Sequence, residues 1–521
     1  MCEQENDPEI ENIVVPRGQI ENLETLRKIV TEMVNTEIPN KKEMAKFIKA
    51  MNKKYKTIIK NTHLLYAYRI MCFEGFFKEE KKYVLLMQSK GGRGESGVMV
   101  YGLVTSPYPN GQEFSCEWDC KYCPKEPNMP RSYTNGEPGV DRAVRNNYDP
   151  IRQFRDRANS YIANGHSVDK GEVIILGGTW HSYPSAYRDE FIRSIYFAAN
   201  TYFDSMNIEE LREPLSLDEE MKINETAKCH IIGITIETRP DCITPRELIK
   251  LRTLGVTRVQ MGLQHIDDRI LERVNRGCTL KHAIRAIKLL LDSGFKFDIH
   301  VMPDLPKPLK LGVNPKKFIE RDDIDWEFDV FEADMKMFEE LRENPYLQAD
   351  QYKIYPFQVV KFSEMKDEYE RGLHIPYSEE IAKEPLIVGE GGTVSDYPFT
   401  KLDELLIYIL AKMPDHIRVN RVLRDNPRSF IIAGAKDLNK CQKITNEMEK
   451  RNLVCNDIRN SEVKNKIIDT SNAILIVEER EASDGMEYHL QFRTFDKKIL
   501  LGFLRLRLSV SAGMDGDNIV F

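Results

Sequence analysis

The segment SCEWDCKYCP (115–124) bears most directly on the fold and chemistry of this 521-residue sequence. It places three of the ten cysteines, Cys116, Cys120 and Cys123, close together, whereas the other seven are scattered along the chain. It follows VMVYGLVT (98–105), whose β-branched and aromatic residues predict a strand. The three thiols are therefore expected on a loop at the carboxyl end of a strand.

Five more β-rich runs follow this strand, and helical segments such as 187–200 and 280–294 separate them. Six strand-then-helix units predict an α/β fold with a parallel, barrel-like sheet of the TIM type. Side chains at the carboxyl ends of such strands line one cavity, so the cysteine loop is expected to face later strand ends. The five later strands are predicted at 173–179, 231–237, 257–263, 297–303 and 352–357.

The spacing of the three cysteines indicates an iron–sulfur cluster. Three thiolates on a short loop can hold a [4Fe-4S] cubane and leave one iron open, which suits reductive cleavage of S-adenosylmethionine. A zinc site is the alternative, with His166 or His181 as a fourth ligand, but no second pair of closely spaced cysteines supports it. Tyr122, between the last two cysteines, is positioned to lie against the adenine of a nucleoside cofactor.

Two other strand ends carry candidate cofactor-binding residues. Gly177, Gly178 and Thr179 expose backbone polar groups that can hold an amino group, although a glycine pair is also an ordinary turn. Glu237 and Arg239 end an otherwise apolar strand, where each needs a partner if it is buried. A structural ion pair at this strand end is the alternative to cofactor binding.

A basic segment near the N-terminus contrasts with the net charge of −7. Residues 41–60 carry eight lysines and one glutamate, and apolar residues at helical spacing predict two helices within 20–60, the second capped by Asn40. A lysine-rich face can be a solvated surface, but in an acidic protein it favours phosphate contacts with nucleic acid. The predicted contact residues are Lys41, Lys42, Lys46, Lys49, Lys53 and Lys54.

Composition excludes several protein classes. The 41% hydrophobic share is typical of a globular protein, and no run approaches the roughly 20 apolar residues of a membrane span. The acidic start MCEQENDPEIEN (1–12) differs from a basic targeting peptide, so we expect a cytoplasmic protein with reduced cysteines. The acidic stretch 320–340 is predicted to be a solvated helix without a functional role.

A series of motifs resembles, in order, the radical-SAM half of the Elongator catalytic subunit family, the tRNA carboxymethyluridine synthases. The similarity covers roughly residues 85–430 and continues more weakly to 508. The motifs are CEWDCKYCPKEP, SYTNGEP, RAVRNNYDP, GHSVDKGEVIILGGT, GITIETRPD, VQMGLQH, NRGCTL, HVMPDLP, KIYP and RVLRDNP.

The resemblance implies an enzyme that modifies the wobble uridine of tRNA at C5. Acetyl-CoA would supply the carbon unit, and a 5′-deoxyadenosyl radical from S-adenosylmethionine would abstract hydrogen from its acetyl group. The three cysteines of the loop would bind the [4Fe-4S] cluster, and Lys170 would contact acetyl-CoA and act as a catalytic residue. Lys353 and Tyr355 of KIYP would face the same cavity as catalytic residues. The expected partners are the anticodon region of tRNA and either further Elongator-type subunits or a second copy of the chain.

Four regions are expected along the chain. They are an N-terminal helical, basic, tRNA-binding segment (1–80), a partial TIM-type radical-SAM barrel (81–385), a connecting subdomain (386–465) and an incomplete GNAT-type α+β acetyltransferase domain (466–521).

The last of these regions raises an alternative to full activity. ILLGFLRLRL (499–508) resembles the opening strands of the acetyltransferase domain and forms a predicted hairpin with EYHLQFRT (487–494). The loop that grips the pyrophosphate of acetyl-CoA would lie beyond Phe521, which predicts impaired acetyl-CoA binding in a fragment or a natural truncation. The alternative function is a catalytically incomplete tRNA-binding or scaffold member of an Elongator-like assembly.

Overall fold

The computed structural model describes residues 14–16, 20, 22–94, 96–437, 439–464 and 467–509. The predicted acidic N-terminus and the chain end at Phe521 lie outside these residues. The strands of the described part are β1 (Met99–Val104), β2 (Lys170–Leu176), β3 (His230–Thr238), β4 (Val256–Gln264), β5 (Lys296–Val301), β6 (Gln351–Ile354), β7 (Gln358–Val360), β8 (Arg418–Arg421), β9 (Ile431–Gly434), β10 (Ile474–Ala482), β11 (Gly485–Arg493) and β12 (Leu500–Ser509).

Helices account for most of the remaining regular structure, together with short 3₁₀ turns. The α-helices of the described part are α1 (Leu23–Val34), α2 (Lys41–Tyr55), α3 (Asn61–Phe73), α4 (Lys81–Met87), α5 (Pro138–Arg145), α6 (Pro150–Ala163), α7 (Ser185–Asn200), α8 (Leu217–Asn224), α9 (Pro245–Thr253), α10 (Asp268–Arg273), α11 (Leu280–Asp292), α12 (Val330–Glu343), α13 (Met365–Glu370), α14 (Lys401–Ala411) and α15 (Lys440–Lys450). None of them is long and apolar enough to cross a membrane.

The chain divides into two compact units. Unit 1 comprises Met1–Leu103, Arg142–Ile174 and Ala186–Ile234, and unit 2 comprises the remaining residues. The division passes through β1, β2 and β3, whose carboxyl ends belong to unit 2. The cysteine loop and the strand ends discussed below therefore lie in unit 2, whereas the lysine-rich helix α2 lies in unit 1.

The two predicted N-terminal helices are confirmed as α1 and α2. Asn40 caps α2 as expected, because its side-chain oxygen accepts hydrogen bonds from the backbone N–H groups of Lys42 and Glu43. The apolar stripes of the two helices pack with α3 and α4 in one buried cluster. This packing leaves the lysines of α2 on its exposed side.

The main sheet is a parallel, curled half-barrel of seven strands in the order β1-β2-β3-β4-β5-β6-β8. The barrel-like α/β fold is thus confirmed. Three details differ from the predictions: β2 begins at Lys170, β6 ends at Ile354 before Pro356, and β8 was missed. Strand β8 reads RVNR, which is too short and too polar to stand out as a strand.

Strands β4, β5 and β6 have two chemically distinct faces. Alternate residues such as Val259, Ile299 and Tyr352 are apolar and almost fully buried, and α9 and α11 contact β4 and β5. The opposite face carries Gln260 and Asp298, which are also buried. A parallel half-barrel covered by helices on its outside therefore has a polar inner face.

The acidic stretch 320–340 is only partly the solvated helix that its charge predicted. A 3₁₀ turn occupies Arg321–Asp323, and α12 begins only at Val330. Asp334 is fully buried and accepts hydrogen bonds from His265 (3.1 Å), the Tyr377 hydroxyl (2.6 Å) and the Asp304 backbone N–H (2.7 Å). Charge counting fails here because it cannot show which carboxylate has buried donors around it.

The C-terminal part of the described chain is an antiparallel sheet, β10-β11-β12. The predicted hairpin is confirmed by the pairing of β11 with β12 around FDKK (495–498). Arg505 and Arg507 project from β12 to form ion pairs with Asp350 and Asp292. Membership of this sheet in an acetyltransferase domain stays a prediction, because the expected acetyl-CoA loop lies outside the described residues.

Candidate active site

The three clustered cysteines lie on the loop after β1, as predicted. Cys120 and Cys123 are buried, and Cys116 is partly exposed. Backbone hydrogen bonds fix the loop on both sides, from Lys121 N–H to the Val274 carbonyl (3.0 Å) and from Lys125 N–H to the Phe362 carbonyl (2.9 Å). The loop therefore has a defined position within unit 2.

A buried ion-pair network also holds the loop in place. Glu368 of α13 accepts hydrogen bonds from Lys121 (2.9 Å) on the loop and from both terminal nitrogens of Arg273 on α10. Burial alone would raise the pKa of Glu368, but Arg273 and Lys121 outweigh it and lower that pKa below its ordinary value. The charged form of Glu368 is thus the one that stabilises the loop.

Two buried arginines point at the thiol of Cys120. Arg239 and Arg276 approach its sulfur to 3.8 Å and 3.7 Å, and neither side chain is appreciably exposed. Arg239 also donates to Asp241 (3.0 Å) and to the Arg276 carbonyl (2.6 Å), whereas Arg276 donates to the Gly262 carbonyl at the end of β4. Fixed cations beside the thiols suit a ligand set that carries negative charge.

The other two thiols contact hydroxyl groups. The Cys123 sulfur lies 2.8 Å from the Ser132 oxygen, and the Cys116 sulfur lies 3.8 Å from the Thr179 oxygen. Burial raises the pKa of the Cys123 thiol, so binding it as a thiolate requires a positive counter-charge such as a metal. Hydroxyl donors of this kind commonly support the sulfur ligands of a metal centre.

The separation of the thiols favours a cubane over a zinc ion. A tetrahedral zinc ion with Zn–S bonds of about 2.3 Å requires sulfur atoms roughly 3.8 Å apart. Among the described residues, the three cysteine sulfurs are not all within 4.8 Å of one another, and a cubane separates its thiolate ligands more widely than a single ion does. Both ring nitrogens of His166 have partners, the Ser89 carbonyl (3.0 Å) and the Gln88 side chain (3.2 Å). The His181 ring contacts Thr238 (2.5 Å) through one nitrogen and lies 3.3 Å from Glu247 through the other.

The glycine pair after β2 occupies positions that only glycine can fill. Gly177 and Gly178 have φ values of 137° and 98°. A Cβ atom on Gly177 would lie 1.8 Å from the Thr105 side-chain oxygen. The Gly177 carbonyl accepts a hydrogen bond from the Tyr183 hydroxyl (2.6 Å). The turn therefore leaves its backbone N–H and C=O groups unobstructed by side chains. It lies next to the cysteine loop, because Thr179 contacts Cys116.

Glu237 and Arg239 do not pair with each other. Glu237 accepts a hydrogen bond from the Tyr133 hydroxyl (2.8 Å), and Arg239 binds Asp241. The ion-pair alternative therefore holds for Arg239, whose salt bridge is with Asp241, whereas Glu237 is held by a neutral tyrosine hydroxyl. Arg239 joins the surroundings of Cys120, whereas Glu237 lies at the carboxyl end of β3.

Tyr122 packs against a buried apolar cluster of unit 2 that includes Val274 and Phe357. Burial raises the pKa of its hydroxyl well above the ordinary value, so the side chain stays neutral. Its predicted contact with an adenine stays a prediction.

Lys353 and Tyr355, at the end of β6, lie beside polar residues that the sequence analysis missed. The Lys353 ammonium donates to the Gln260 side-chain oxygen (2.5 Å), and the Gln260 amide donates to Asp298 (2.9 Å). The Tyr355 ring meets the His300 ring edge-on at 5.7 Å. The available signal was the polar residue at every second position of the predicted strands β4 and β5.

The remaining predicted residues lie in unit 1. Lys170 is exposed at the first position of β2. The six lysines predicted to bind tRNA are all exposed on α2; Lys46 forms an ion pair with Glu43, and Lys54 with Glu32. Lys42, Lys49 and Lys53 form no ion pair with any described residue.

Three comparisons identify relatives of this chain. Residues 114–306 match the family model of the Radical SAM superfamily. The chain is 34% identical over 444 residues to the tRNA uridine(34) acetyltransferase of Methanocaldococcus infernus, a match that covers 82% of this chain and 72% of that protein. It is 31% identical over 430 residues to the human Elongator complex protein 3, a match that covers 81% of this chain and 69% of the human protein.

A solved structure agrees with these sequence matches. The Methanocaldococcus infernus Elp3 with an N-terminal deletion superposes with a TM-score of 0.60 at 31% identity, over 79% of this chain and 78% of that chain. The sequence identity exceeds 30% over more than two thirds of each relative, and the fold and the cysteine loop also match. Together these findings are sufficient to assign the chain to a family. The chain belongs to the radical-SAM family of the tRNA uridine(34) acetyltransferases and Elongator complex protein 3.

Proposed function

We propose that this protein is a radical-SAM enzyme that converts the wobble uridine of tRNA, uridine 34, to 5-carboxymethyluridine with acetyl-CoA as carbon donor. The observation that carries the proposal is the loop of three thiols in unit 2, with Arg239 and Arg276 directed at Cys120. Relatives named for acetyltransfer to uridine 34 supply the substrate class.

The residues of the cysteine loop and its neighbours fit an iron–sulfur cluster and S-adenosylmethionine. Cys116, Cys120 and Cys123 would ligate three irons of a [4Fe-4S] cluster, and the two buried arginines would offset its negative charge. When bound, the cluster and S-adenosylmethionine together supply a 5′-deoxyadenosyl radical for hydrogen abstraction.

Neighbouring strand ends would orient the cofactor. Gly177 and Gly178 leave backbone groups unobstructed, and Thr179 and Glu237 add polar oxygens at the carboxyl ends of β2 and β3. Tyr122 would offer its ring to the adenine. These side chains would hold the nucleoside in one orientation and exclude water from it.

Lys353 and Tyr355 would act on the acetyl group and the base at the inner face of the half-barrel. Lys353 is 8% exposed and keeps one N–H on Gln260, so its other two N–H groups can donate to carbonyl oxygens. Lys170 would contact acetyl-CoA through its exposed ammonium, which can pair with phosphate or carbonyl oxygens.

Helix α2 would bind the phosphate backbone of tRNA without base specificity. Its exposed lysines supply the positive charge that the rest of this acidic protein lacks. Further Elongator-type subunits or a second copy of the chain would complete the assembly. The reducing cytoplasm is the expected compartment.

Nucleoside mass spectrometry tests the proposed reaction. Anaerobically reconstituted protein is incubated with unmodified tRNA, S-adenosylmethionine, a reductant and acetyl-CoA carrying two ¹³C atoms in its acetyl group. We expect 5-carboxymethyluridine that contains both labelled carbons, and no product from Cys116→Ala. Cys441→Ala is the matched control, because Cys441 is an exposed cysteine outside the loop.

Three outcomes distinguish the candidate functions. Labelled 5-carboxymethyluridine supports the enzyme. Binding of tRNA without any new nucleoside would support the scaffold function and contradict the enzyme. A different modified nucleoside, or one without the label, would assign the radical chemistry to another carbon donor.

A further inference from the structure

A buried polar network lies on the inner face of the half-barrel. It crosses three neighbouring strands, with Gln260 on β4, Asp298 on β5 and Lys353 on β6. Their side chains are 1%, 0% and 8% exposed, so all three polar groups are shielded from solvent. Buried polar groups of this kind are costly unless each one has a partner.

Hydrogen bonds fix the orientation of the central residue of this network. The Gln260 oxygen accepts from the Lys353 ammonium at 2.5 Å, and the Gln260 nitrogen donates to Asp298 at 2.9 Å. A lysine can only donate and a carboxylate accepts, so the amide has one consistent orientation. Its carbonyl end faces the cation, and its NH₂ end faces the anion.

Gln260 therefore bridges two residues of opposite charge, Lys353 and Asp298. Asp298 lies against Arg258 (3.4 Å) and has a pKa raised by burial. A direct contact with Asp298 would draw Lys353 toward β5 and occupy more of its N–H groups. With the Gln260 amide between them, the Lys353 ammonium instead stays at the inner face, and two of its N–H groups are not bonded to Gln260.

We propose that Gln260 is a positioning residue that holds the Lys353 ammonium in place for the reaction, with Asp298 as the anchor of its amide. This inference rests on the proposed catalytic role of Lys353. Gln260 acts only through Lys353 and has no contact with substrate in this scheme. Its replacement should therefore change turnover and leave tRNA binding unchanged.

A double-mutant cycle tests the proposal in the full-length, reconstituted protein. Gln260→Leu removes both hydrogen bonds at nearly constant volume, and we expect kcat to fall about 50-fold, with KM for tRNA within twofold of the wild type. Lys353→Met should be at least as severe. In the Lys353→Met background, Gln260→Leu should lower kcat by less than a further twofold, because the ammonium that Gln260 positions is already absent.

Two further variants separate positioning from a general structural role. Gln351→Leu is the matched control, because Gln351 is a buried glutamine on the same strand face as Lys353, two residues earlier; it should retain wild-type kcat. Gln260→Glu combined with Asp298→Asn restores an acceptor for Lys353 and a donor to residue 260. This double variant should recover activity to within tenfold of the wild type, whereas Gln260→Leu should not.

The outcomes distinguish this inference from the proposed function. If Lys353→Met retains full activity, the catalytic role of Lys353 is wrong. If Lys353→Met is inactive while Gln260→Leu keeps wild-type kcat, or if the two effects multiply, Gln260 does not position Lys353. Far-UV circular dichroism and iron content matching the wild type are required of every variant, and a Gln260→Leu protein that loses its iron would also overturn the proposal.

Discussion

Positively charged side chains occur in two contrasting environments in this protein. Around the cysteine loop of unit 2, Arg239, Arg273 and Arg276 are almost fully buried and each has specific partners. On α2 of unit 1, six lysines are exposed, and two of them pair only with neighbouring surface glutamates. The buried cations are fixed in geometry and hold defined atoms, whereas the exposed cations form a surface of charge.

This difference has a physical consequence for each region. Removing a partner from a buried cation leaves a charge without solvation, which costs several kcal/mol. An exposed ion pair contributes little, and its charges are screened by salt. Perturbations of the cysteine loop should therefore be large and specific, and perturbations of α2 should be small, additive and dependent on salt.

The largest effect is expected when the buried cations lose their carboxylate. Glu368→Gln should lower the free energy of unfolding by about 3 kcal/mol at pH 7, because Arg273 and Lys121 then lack an anionic partner. Glu43→Gln is the matched control on α2, where loss of the ion pair with Lys46 should cost less than about 0.5 kcal/mol. Denaturant unfolding of both variants measures the difference.

The same variant predicts a pH dependence. The pKa of Glu368 is lowered in the folded protein, so its stabilisation is fully present above the ordinary carboxyl pKa and is lost as pH falls through the lowered one. The stability difference between wild type and Glu368→Gln should be constant from pH 6 to 8 and should shrink below about pH 4.5. A difference that grows on acidification would show that the neutral form of Glu368 is the stabilising one.

An intermediate effect is expected from the cation beside Cys120. Arg276→Met keeps the bulk of the side chain but removes the donors to Cys120 and to the Gly262 carbonyl. Groups next to metal ligands typically contribute 10–100-fold, so we expect S-adenosylmethionine cleavage to fall about 50-fold. Arg276→Lys should retain more activity than Arg276→Met, and equal activity of all three proteins would exclude a role for the charge.

The smallest effect is expected from the exposed lysines. Replacement of Lys42, Lys49 and Lys53 by glutamine should weaken tRNA binding about tenfold at low salt and reduce the slope of log affinity against log salt by roughly 2. The matched control replaces Lys310, Lys316 and Lys317, three exposed lysines of unit 2, and should change neither quantity by more than twofold. Unchanged binding by the α2 variant would contradict the role of this helix.

Sequence patterns were sufficient where the signal was local. The cysteine spacing, the strand before it and the Asn40 cap each depend on residues within one short segment, and the structure has all three. The polar inner face was visible in the sequence as an alternation of polar and apolar residues along β4 and β5. Gln260 and Asp298 were nevertheless not identified from this alternation.

Long-range partners could not be predicted from the sequence. Lys121 and Glu368 are 247 residues apart, and no local pattern connects them. Glu237 and Arg239 carry opposite charges two residues apart, yet Glu237 bonds to Tyr133 and Arg239 to Asp241; the sequence cannot show that the Tyr133 hydroxyl, 104 residues away, lies beside Glu237. Charge counts likewise could not show that Asp334 is buried.

The most direct test of the account is the formation of 5′-deoxyadenosine by the reconstituted protein. The wild type should hold about four irons per chain and cleave S-adenosylmethionine under reducing conditions. Cys120→Ala should lose the iron and the cleavage, whereas Cys441→Ala should keep both. Full iron content and undiminished 5′-deoxyadenosine formation by Cys120→Ala would contradict the assignment of the cysteine loop as the cluster site.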